Sequence, residues 1–252
     1  MVKKQTTSKN KNQTTTEKPS SSKPIQTQHV DFPPLTSKFY LEIKEIESDQ
    51  IILIPNALDE GECKRFIKFI EERPLELTPA PKKGEALRVN YRVSMQSPSF
   101  ANELFNMLAP HLPEFPYPAS KVPRDQKNST TPVVRARPAH SMNPNIRLYK
   151  YTEGQHFGCH YDDSVTDPVS GTHSEWTLLI YLSGKEDGVE GGETIFYRGQ
   201  GKRKDKEPPI KPDLQRGMAL LHRHGYECLF HEGALVKKGT KYVLRSDIMF
   251  DD

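Results

Sequence analysis

The spacing of apolar residues changes along the chain, from helical in the first half to alternating in the second. Cys63, Phe66 and Ile70 recur at helical spacing, which predicts an amphipathic helix. Pro98, directly after Ser97, indicates the start of a second helix, because proline fits the first turn. The elements predicted for this part are strands at 39–46, 51–55 and 86–95 and helices at 56–72 and from 97 onward.

From residue 145 the pattern is typical of strands. Short apolar or alternating runs are separated by clusters of Gly, Pro, Asp and Lys. Seven or eight such strands after two helices predict a mainly β fold, a double-stranded β-helix (jelly-roll) core with supporting helices. The predicted strands lie within 145–151, 155–163, 175–183, 193–198, 217–222, 227–233 and 241–250.

Composition divides the 252-residue chain into a tail and one folded unit. Residues 1–32 are rich in Thr, Ser, Lys, Gln and Asn and nearly devoid of apolar side chains, so they cannot bury enough surface to offset the entropy of ordering. We interpret them as a disordered lysine-rich tail. The folded unit, 33–252, would comprise a support region at 33–144 and the barrel at 145–252. Within the support region, 112–143 lacks periodicity, which predicts a long loop that could cover a site.

The tail also carries the net positive charge. Its six lysines and two acidic residues give +4, whereas the whole chain carries +3, so the folded part is near neutral. A nucleic-acid-binding body is therefore not favoured, although a lysine-rich arm could bind nucleic acid or anionic lipid weakly.

Three features bear on location. The tail lacks the apolar stretch of a secretory signal, and it contains no arginine, which argues against a mitochondrial presequence. No run approaches the ~20 apolar residues that a membrane helix needs. The three cysteines are unevenly spaced and form no disulfide or CxxC pattern. We therefore expect no membrane segment and a reducing compartment, cytoplasm or nucleus.

The strongest candidate for chemistry is the pair His160 and Asp162. On a strand, residues i and i+2 face the same side, roughly 6 to 7 Å apart, so both side chains can reach one ion. Two imidazoles and one carboxylate can bind one face of iron(II) and leave positions for a bidentate cosubstrate and O₂. An HxD pair alone is a weak signal among nine histidines. The order of the motifs strengthens it, because His231 follows and Lys241 comes ten residues later.

Four segments between about Asn145 and Phe250 share one pattern. They are YTEGQHFGCHYD, VEGGETIF, GMALLH and HEGALVKKGTKYVL. Together they resemble the prolyl 4-hydroxylase-like branch of the iron(II) and 2-oxoglutarate dioxygenases, with its HxD, GGET, Gly-x-Ala-Leu and distal His and Lys segments. Two features depart from that pattern: Phe157 stands where many members have tyrosine, and VLRSDIMF replaces a tryptophan-containing ending. The identity of the substrate is therefore not transferable.

The resemblance implies roles for particular residues. His160, Asp162 and His231 would be the iron ligands and the catalytic centre. Lys241 would bind the C5 carboxylate of 2-oxoglutarate, and Tyr151 would donate its hydroxyl to the same cosubstrate. The implied cofactors are Fe(II), 2-oxoglutarate and O₂, with ascorbate left open. The implied reaction hydroxylates a C–H bond, on a prolyl or related side chain of a protein or peptide, and releases succinate and CO₂.

Strand alternation leaves a choice of cation for the cosubstrate, because Lys241 and Arg245 fall on the same face. A plain hairpin turning at Lys238 and Gly239 would bring Arg245 beside His231. A jelly roll would instead send the two strands into opposite sheets and favour the lysine. We expect Lys241 to be the main anchor, with Arg245 behind the ligands or near the substrate.

Other interpretations remain open. His222 and His224 could form an HxH metal pair, although a strand end or supporting hydrogen bonds is the simpler explanation. Cys159 adjoins a ligand but should point to the opposite face as a buried thiol. The same chemistry could act on a nucleobase or a small molecule. A protein of another class, a non-catalytic β-barrel interaction protein with a vestigial metal site, or a nucleic-acid binder acting through its tail, is also compatible with parts of the pattern.

Overall fold

The computed structural model of the chain describes residues 30–118, 136–198 and 207–251. The expectations for most of the tail, for the middle of the long loop and for part of the basic segment after β13 fall outside these residues. The helices are α1 Glu60–Glu71 and α2 Pro98–Leu108. The strands are β1 Lys44–Glu47, β2 Ile51–Ile54, β3 Glu76–Leu77, β4 Arg88–Val89, β5 Tyr91–Gln96, β6 Phe115–Pro116, β7 Ala136–Arg137, β8 Ser141–Met142, β9 Asn145–Tyr151, β10 His156–His160, β11 His173–Tyr181, β12 Glu190–Gly191, β13 Thr194–Tyr197, β14 Ala219–Arg223, β15 Phe230–Gly233, β16 Val236–Lys238 and β17 Lys241–Phe250.

Two antiparallel sheets form the core. The larger has the order β1-β2-β14-β11-β17-β9-β5-β3, with β8 also pairing with β17, and the smaller has the order β13-β15-β10-β4. From β9 onward the main strands alternate between the two sheets: β9, β11, β14 and β17 belong to the larger and β10, β13 and β15 to the smaller. This alternation is the connectivity of a jelly roll, so the predicted fold class is confirmed.

The larger sheet carries different side chains on its two faces because residues along a strand alternate. On β11, Trp176, Leu178 and Ile180 are almost fully buried in the cluster that includes both helices. Leu179 and Tyr181 belong instead to the cluster on the barrel side. The helices therefore cover one face of the sheet and leave the other to line the barrel interior.

Several element boundaries differ from the sequence predictions for local reasons. The helix expected from residue 56 begins at Glu60, because Asp59 is its N-cap and forms a capping box with Glu62. The strand expected at 86–95 is divided at Asn90, whose side chain donates to the Tyr91 carbonyl. The first strand is shorter than predicted and begins only at Lys44.

The segment 112–143, expected to be a long loop, contains three two-residue strands in its described parts. β6 pairs with β7, and β8 pairs with the end of β17. These pairings are long-range, so no periodicity in the local sequence could reveal them.

The folded unit also begins earlier than residue 33. The Phe32 ring stacks on Phe100 at 4.2 Å between centroids and lies 5.0 Å from Phe69. Val30 also packs against the same core. The short apolar segment at the end of the expected tail thus anchors to both helices.

Candidate active site

Two of the three candidate metal ligands lie on neighbouring strands of the smaller sheet, and Asp162 follows the end of β10, which is shorter than the strand expected at 155–163. His160 ends β10 and pairs directly with His231 of β15. The Nε2 atom of His160 lies 3.5 Å from Oδ1 of Asp162, and Nε2 of His231 lies 3.8 Å from Oδ2 of the same carboxylate. One ligand atom of each residue lies within 4.8 Å of the other two. The donor set therefore fits one metal ion.

Both histidines have the same orientation. Nδ1 of His160 lies 2.9 Å from the Gly158 carbonyl, and Nδ1 of His231 lies 2.9 Å from the Leu229 carbonyl. A carbonyl only accepts hydrogen bonds, so each Nδ1 carries the hydrogen and each Nε2 has a free lone pair. Burial lowers the pKa of His231 to about 4, which keeps this ring neutral and ready to bind a metal.

Asp162 is buried among positive and donor groups. Burial alone would raise the pKa of its carboxyl, but the charge of Arg245 holds that pKa well below the usual range. Arg245 approaches both carboxylate oxygens, at 3.1 Å from Oδ1 and 2.9 Å from Oδ2. Asp162 is therefore an anion in a fixed orientation.

A chain of hydrogen bonds reaches Asp162 from the larger sheet. The Val165 amide donates to the Ser174 hydroxyl, which lies 2.9 Å from Nε2 of His224. Nδ1 of His224 lies 2.9 Å from the Thr177 hydroxyl, which donates to Oδ2 of Asp162 at 3.0 Å. All donors in this chain can point in one direction, toward the carboxylate, which fixes the orientation of the candidate ligand. His224 thus takes the supporting role considered from the sequence.

A cavity leads from the candidate ligands to Lys241. Lys241, Val243 and Arg245 of β17 all line it, in agreement with the expected alternation. Nζ of Lys241 donates to the Gly192 carbonyl at 2.6 Å and lies 5.4 Å from the ring centre of Tyr151. Burial lowers the pKa of Lys241 to about 8. Among the described residues no carboxylate lies within salt-bridge distance of this ammonium, so its charge is left for a bound anion to balance.

The other side of the metal residues faces an open cleft of about 780 Å³. The cleft is lined by the loop at 78–86 and by Tyr161 and Phe230, whose ring centres are 5.0 Å apart. The exposed side chain of Arg92 and the half-buried Arg147 add positive charge. His160, Asp162, Phe157, Arg88 and Arg245 line both the cleft and the inner cavity. His160 and Asp162 therefore lie between the inner cavity and a surface accessible to a large molecule, whereas His231 lines the inner cavity alone.

The structure adds residues that sequence reasoning did not assign to the site. Arg88 places its guanidinium 4.3 Å from the Tyr149 ring centre and 4.5 Å from that of Phe157. Thr177 contacts Asp162, although it stands in an apolar run. His222 lines the cavity, and burial lowers its pKa well below the usual value. The sequence showed that residues alternate along the segments that form β4 and β14. It did not show which sheet these strands face, so Arg88 and His222 could not be assigned to the cavity.

Two cysteines lie near the ligands in different ways. Cys159 points away from the cavity, with Sγ 3.4 Å from a Glu232 carboxylate oxygen, as expected from its position on the strand, but it is only half-buried. Cys228 is buried, and burial raises the pKa of its thiol to about 12. Cys228 also forms, with His222 and His231, a second group whose ligand atoms lie within 4.8 Å of one another.

Within the parts of the chain that the structure describes, neither helix has the length and apolarity needed to cross a membrane.

Comparison with known proteins gives one family match. Residues 146–246 match the model of the 2OG-Fe(II) oxygenase superfamily. No curated protein matches the chain.

Solved structures give further similarities. OsALKBH1 has a TM-score of 0.53 at 12% identity, covering 82% of this chain and 99% of that one. The viral collagen prolyl hydroxylase of Paramecium Bursaria Chlorella virus-1, in its 2OG complex, has a TM-score of 0.46 at 21% identity, covering 80% and 97%. A prolyl hydroxylase from Trichoplax adhaerens, bound to a hypoxia inducible factor peptide fragment, has a TM-score of 0.49 at 12% identity, covering 80% and 84%.

The likeness to OsALKBH1 supports the fold, and the family match supports the chemistry. The matched region begins within β9 and ends within β17, so it spans the main barrel strands and every candidate ligand. Residues 146–246 therefore form a domain of the 2OG-Fe(II) oxygenase superfamily, and the protein is a dioxygenase that depends on Fe(II), 2-oxoglutarate and O₂.

Proposed function

We propose that this dioxygenase hydroxylates a prolyl or related side chain in a protein or peptide. In this proposal His160, Asp162 and His231 hold the iron, and Lys241 binds the C5 carboxylate of 2-oxoglutarate. The observation that carries the proposal is the cavity that joins these three donors to a buried ammonium with no carboxylate in salt-bridge distance among the described residues.

Three residues of the inner cavity have separate tasks in this proposal. Lys241 neutralises the far carboxylate of the cosubstrate, and Tyr151, its cross-strand neighbour, adds a hydroxyl donor. Arg245 is paired with the carboxylate of Asp162 and orients it. Lys241 is therefore the cation that remains to bind 2-oxoglutarate. The iron that these residues would hold would be chelated by 2-oxoglutarate and would supply O₂ activation, which couples oxidative decarboxylation to succinate and CO₂ with hydroxylation of a C–H bond.

The open cleft supports a substrate of peptide size. Proline-rich segments are extended and low in conformational entropy, and they dock on aromatic side chains. Tyr161, which is 41% exposed, and Phe230 offer such a surface beside His160. An extended peptide lying across these rings would place one side chain at the metal centre.

Succinate formation from 2-oxoglutarate tests the proposal, with proline-containing peptides and matched peptides carrying Ala for Pro. We expect peptide-dependent succinate and a mass gain of one oxygen on the proline peptides alone, with no product from His160→Ala. Tyr161→Ala should raise the KM for peptide and leave 2-oxoglutarate affinity unchanged. Equal turnover with the Ala peptides would contradict a prolyl substrate.

A second candidate substrate is nucleic acid, because Arg88, Arg92 and Arg147 line the same cleft. Guanidinium groups bind phosphate strongly. Oligonucleotides therefore belong in the same panel, and Arg92→Ala should reduce turnover of such a substrate in a salt-dependent manner. Oxidised oligonucleotide without oxidised peptide would favour this alternative.

For the whole molecule, we propose one catalytic unit preceded by a lysine-rich tail, working in a reducing compartment such as the cytoplasm or nucleus. The three free cysteines agree with such a compartment.

A further inference from the structure

His222 presents an unused lone pair to the metal centre. It lies on β14, is 2% exposed and lines the inner cavity. Its Nδ1 lies 3.1 Å from the Arg223 carbonyl, so Nδ1 carries the hydrogen and the neutral ring has its lone pair on Nε2. This Nε2 has no hydrogen-bond partner among the described residues. Buried polar atoms are rarely left unpaired, so this one requires an explanation.

The nearest polar neighbour of this lone pair is itself an acceptor. Nε2 of His222 lies 3.5 Å from Oδ2 of Asp162. Two acceptors that face each other in a buried site repel, unless a cation lies between them.

The distance criterion that groups His160, Asp162 and His231 places His222 in a second group, with Cys228 and His231, so the two groups share His231. Its Nε2 is as close to the Asp162 carboxylate as that of His160, at 3.5 Å, and closer than that of His231, at 3.8 Å. Donor atoms that share one ion stand roughly 3 to 4 Å apart, since each lies about 2 Å from the ion. His222 satisfies this spacing. Its ring centre is also only 4.6 Å from that of His231.

We propose that His222 is a fourth protein ligand at the metal centre, bound while 2-oxoglutarate is absent and released when the cosubstrate chelates the metal. The inference rests on the proposed metal site. With His222 bound, four of six positions are occupied by protein. A bidentate cosubstrate and O₂ need three positions, so the fourth protein donor has to leave.

Because His222 and 2-oxoglutarate compete for the metal, loss of His222 should change metal affinity and 2-oxoglutarate affinity in opposite directions. Loss of His222 removes a donor, so the metal should bind more weakly. The same loss removes the competitor of 2-oxoglutarate, so the cosubstrate should bind the metal-loaded protein more tightly. A residue that only supports the fold or orients another ligand would weaken both. His224, two residues further along, is such a residue, because it reaches Asp162 only through Thr177.

The test uses Co(II) as a spectroscopic probe in the full chain, with Co(II) affinity from competition with a chelator and 2-oxoglutarate affinity from the change in the Co(II) absorption. For His222→Leu we expect Co(II) binding at least tenfold weaker and 2-oxoglutarate binding at least threefold tighter. For His224→Phe we expect weaker Co(II) binding without tighter cosubstrate binding. His222→Phe, which keeps a ring beside Phe196, replaces the leucine variant if that one does not fold.

Any other pattern for His222 overturns the inference, including unchanged Co(II) affinity or parallel weakening of both affinities. His160→Ala separates this failure from that of the proposed site. If His160→Ala weakens Co(II) binding and His222→Leu does not, only the role of His222 is wrong. If His160→Ala binds Co(II) as tightly as the unmodified protein, the proposed metal site itself fails and the inference fails with it.

Discussion

Lys241 is a buried charge whose position makes sense only with a ligand. Burial lowers its pKa from 10.5 to about 8, so the folded protein holds the ammonium at a cost of about 3 kcal/mol at neutral pH. Lys241→Met keeps similar volume and removes the charge. We expect 2-oxoglutarate to bind at least two orders of magnitude more weakly, because a buried charge-assisted pair is lost, while calorimetry shows a higher melting temperature for the free protein.

The pH dependence has a definite sign. Lys241 is charged below pH 8, so 2-oxoglutarate affinity should be highest there and fall by up to tenfold per unit above it. Because the lysine pKa is lowered on folding, its cost to stability fades as pH rises from about 8 toward 10.5. Arg245→Met is the matched control and should chiefly weaken metal binding, since Arg245 contacts Asp162. Stronger loss of 2-oxoglutarate binding in the arginine variant would exchange the two roles.

Thr177 tests the support of Asp162. Thr177→Val keeps the shape of the side chain, removes the donor to Oδ2 and leaves Nδ1 of His224 without its partner. We expect metal affinity 10- to 100-fold lower and a loss of about 1 to 3 kcal/mol in unfolding free energy, measured by chelator competition and denaturant titration. Thr172→Val, which removes a buried hydroxyl near Ser170 instead, should leave metal affinity unchanged. If Thr177→Val leaves the metal affinity unaltered, the hydrogen bond from Thr177 to Asp162 does not contribute to metal binding.

The spacing of His160 and Asp162 made them candidates, and the resemblance of four short segments to one family implied the roles of all three ligands and of Lys241, because those motifs are local in sequence. The sequence did not assign Thr177 or His222 to the site. Their contacts with Asp162 depend on which strand lies opposite in the other sheet, and that pairing joins distant parts of the chain.

Among the elements, the GGET segment has a structural role in the cosubstrate pocket. Gly191 and Gly192 have φ values of +75° and +76°, and the Gly192 carbonyl accepts from Lys241. A Cβ on Gly191 would lie 2.2 Å from the Leu235 carbonyl oxygen. The close pairing of β12 with β16 thus requires glycine and sets the position of the lysine's partner.

Gly191→Ala should therefore lower the free energy of unfolding by more than the strain of a positive φ angle alone would. We expect a loss of at least 2 kcal/mol in unfolding free energy and weaker 2-oxoglutarate binding, because the backbone has to shift beside Lys241. Gly188→Ala is the control, since its φ is +77° but its Cβ would meet no atom within 4 Å. Gly188→Ala should lower the free energy of unfolding by only about 1 kcal/mol. Equal losses in the two variants would show that contact with Leu235 is unimportant.

Elements with one buried face were predicted well, and elements held by distant partners were not. β9 and β17 have the bounds that alternation indicated. The short strands β6, β7 and β8 were missed because two residues carry no periodicity and only their partners define them.

At the scale of the whole molecule, the alternation of strands between sheets bears on the choice between Lys241 and Arg245 as the proposed cosubstrate anchor. β15 lies in the smaller sheet and β17 in the larger, so no plain hairpin places Arg245 in the pairing position beside His231. The jelly roll, expected from the number of strands, therefore favours Lys241 as the cosubstrate anchor.

The boundary of the folded unit can be tested by truncation. From composition, removal of residues 1–29 should leave the melting temperature and 2-oxoglutarate turnover unchanged. Removal through Phe32 should cost about 1 to 3 kcal/mol, because the ring that stacks on Phe100 is lost. Phe32→Ala in the full chain provides the matched control and should reproduce the larger loss. Destabilisation by the shorter truncation would show that the tail takes part in the fold.

The central claim, one iron site formed by His160, Asp162 and His231 with room for 2-oxoglutarate, is tested most directly by anaerobic titration. The Fe(II)-loaded protein should bind one equivalent of 2-oxoglutarate with a weak visible charge-transfer band. Asp162→Ala and His160→Ala should show no band, while Cys159→Ser, which alters a neighbouring residue that does not line the inner cavity, should retain it. Absence of the band in the unmodified protein, or its persistence in Asp162→Ala, would contradict the account.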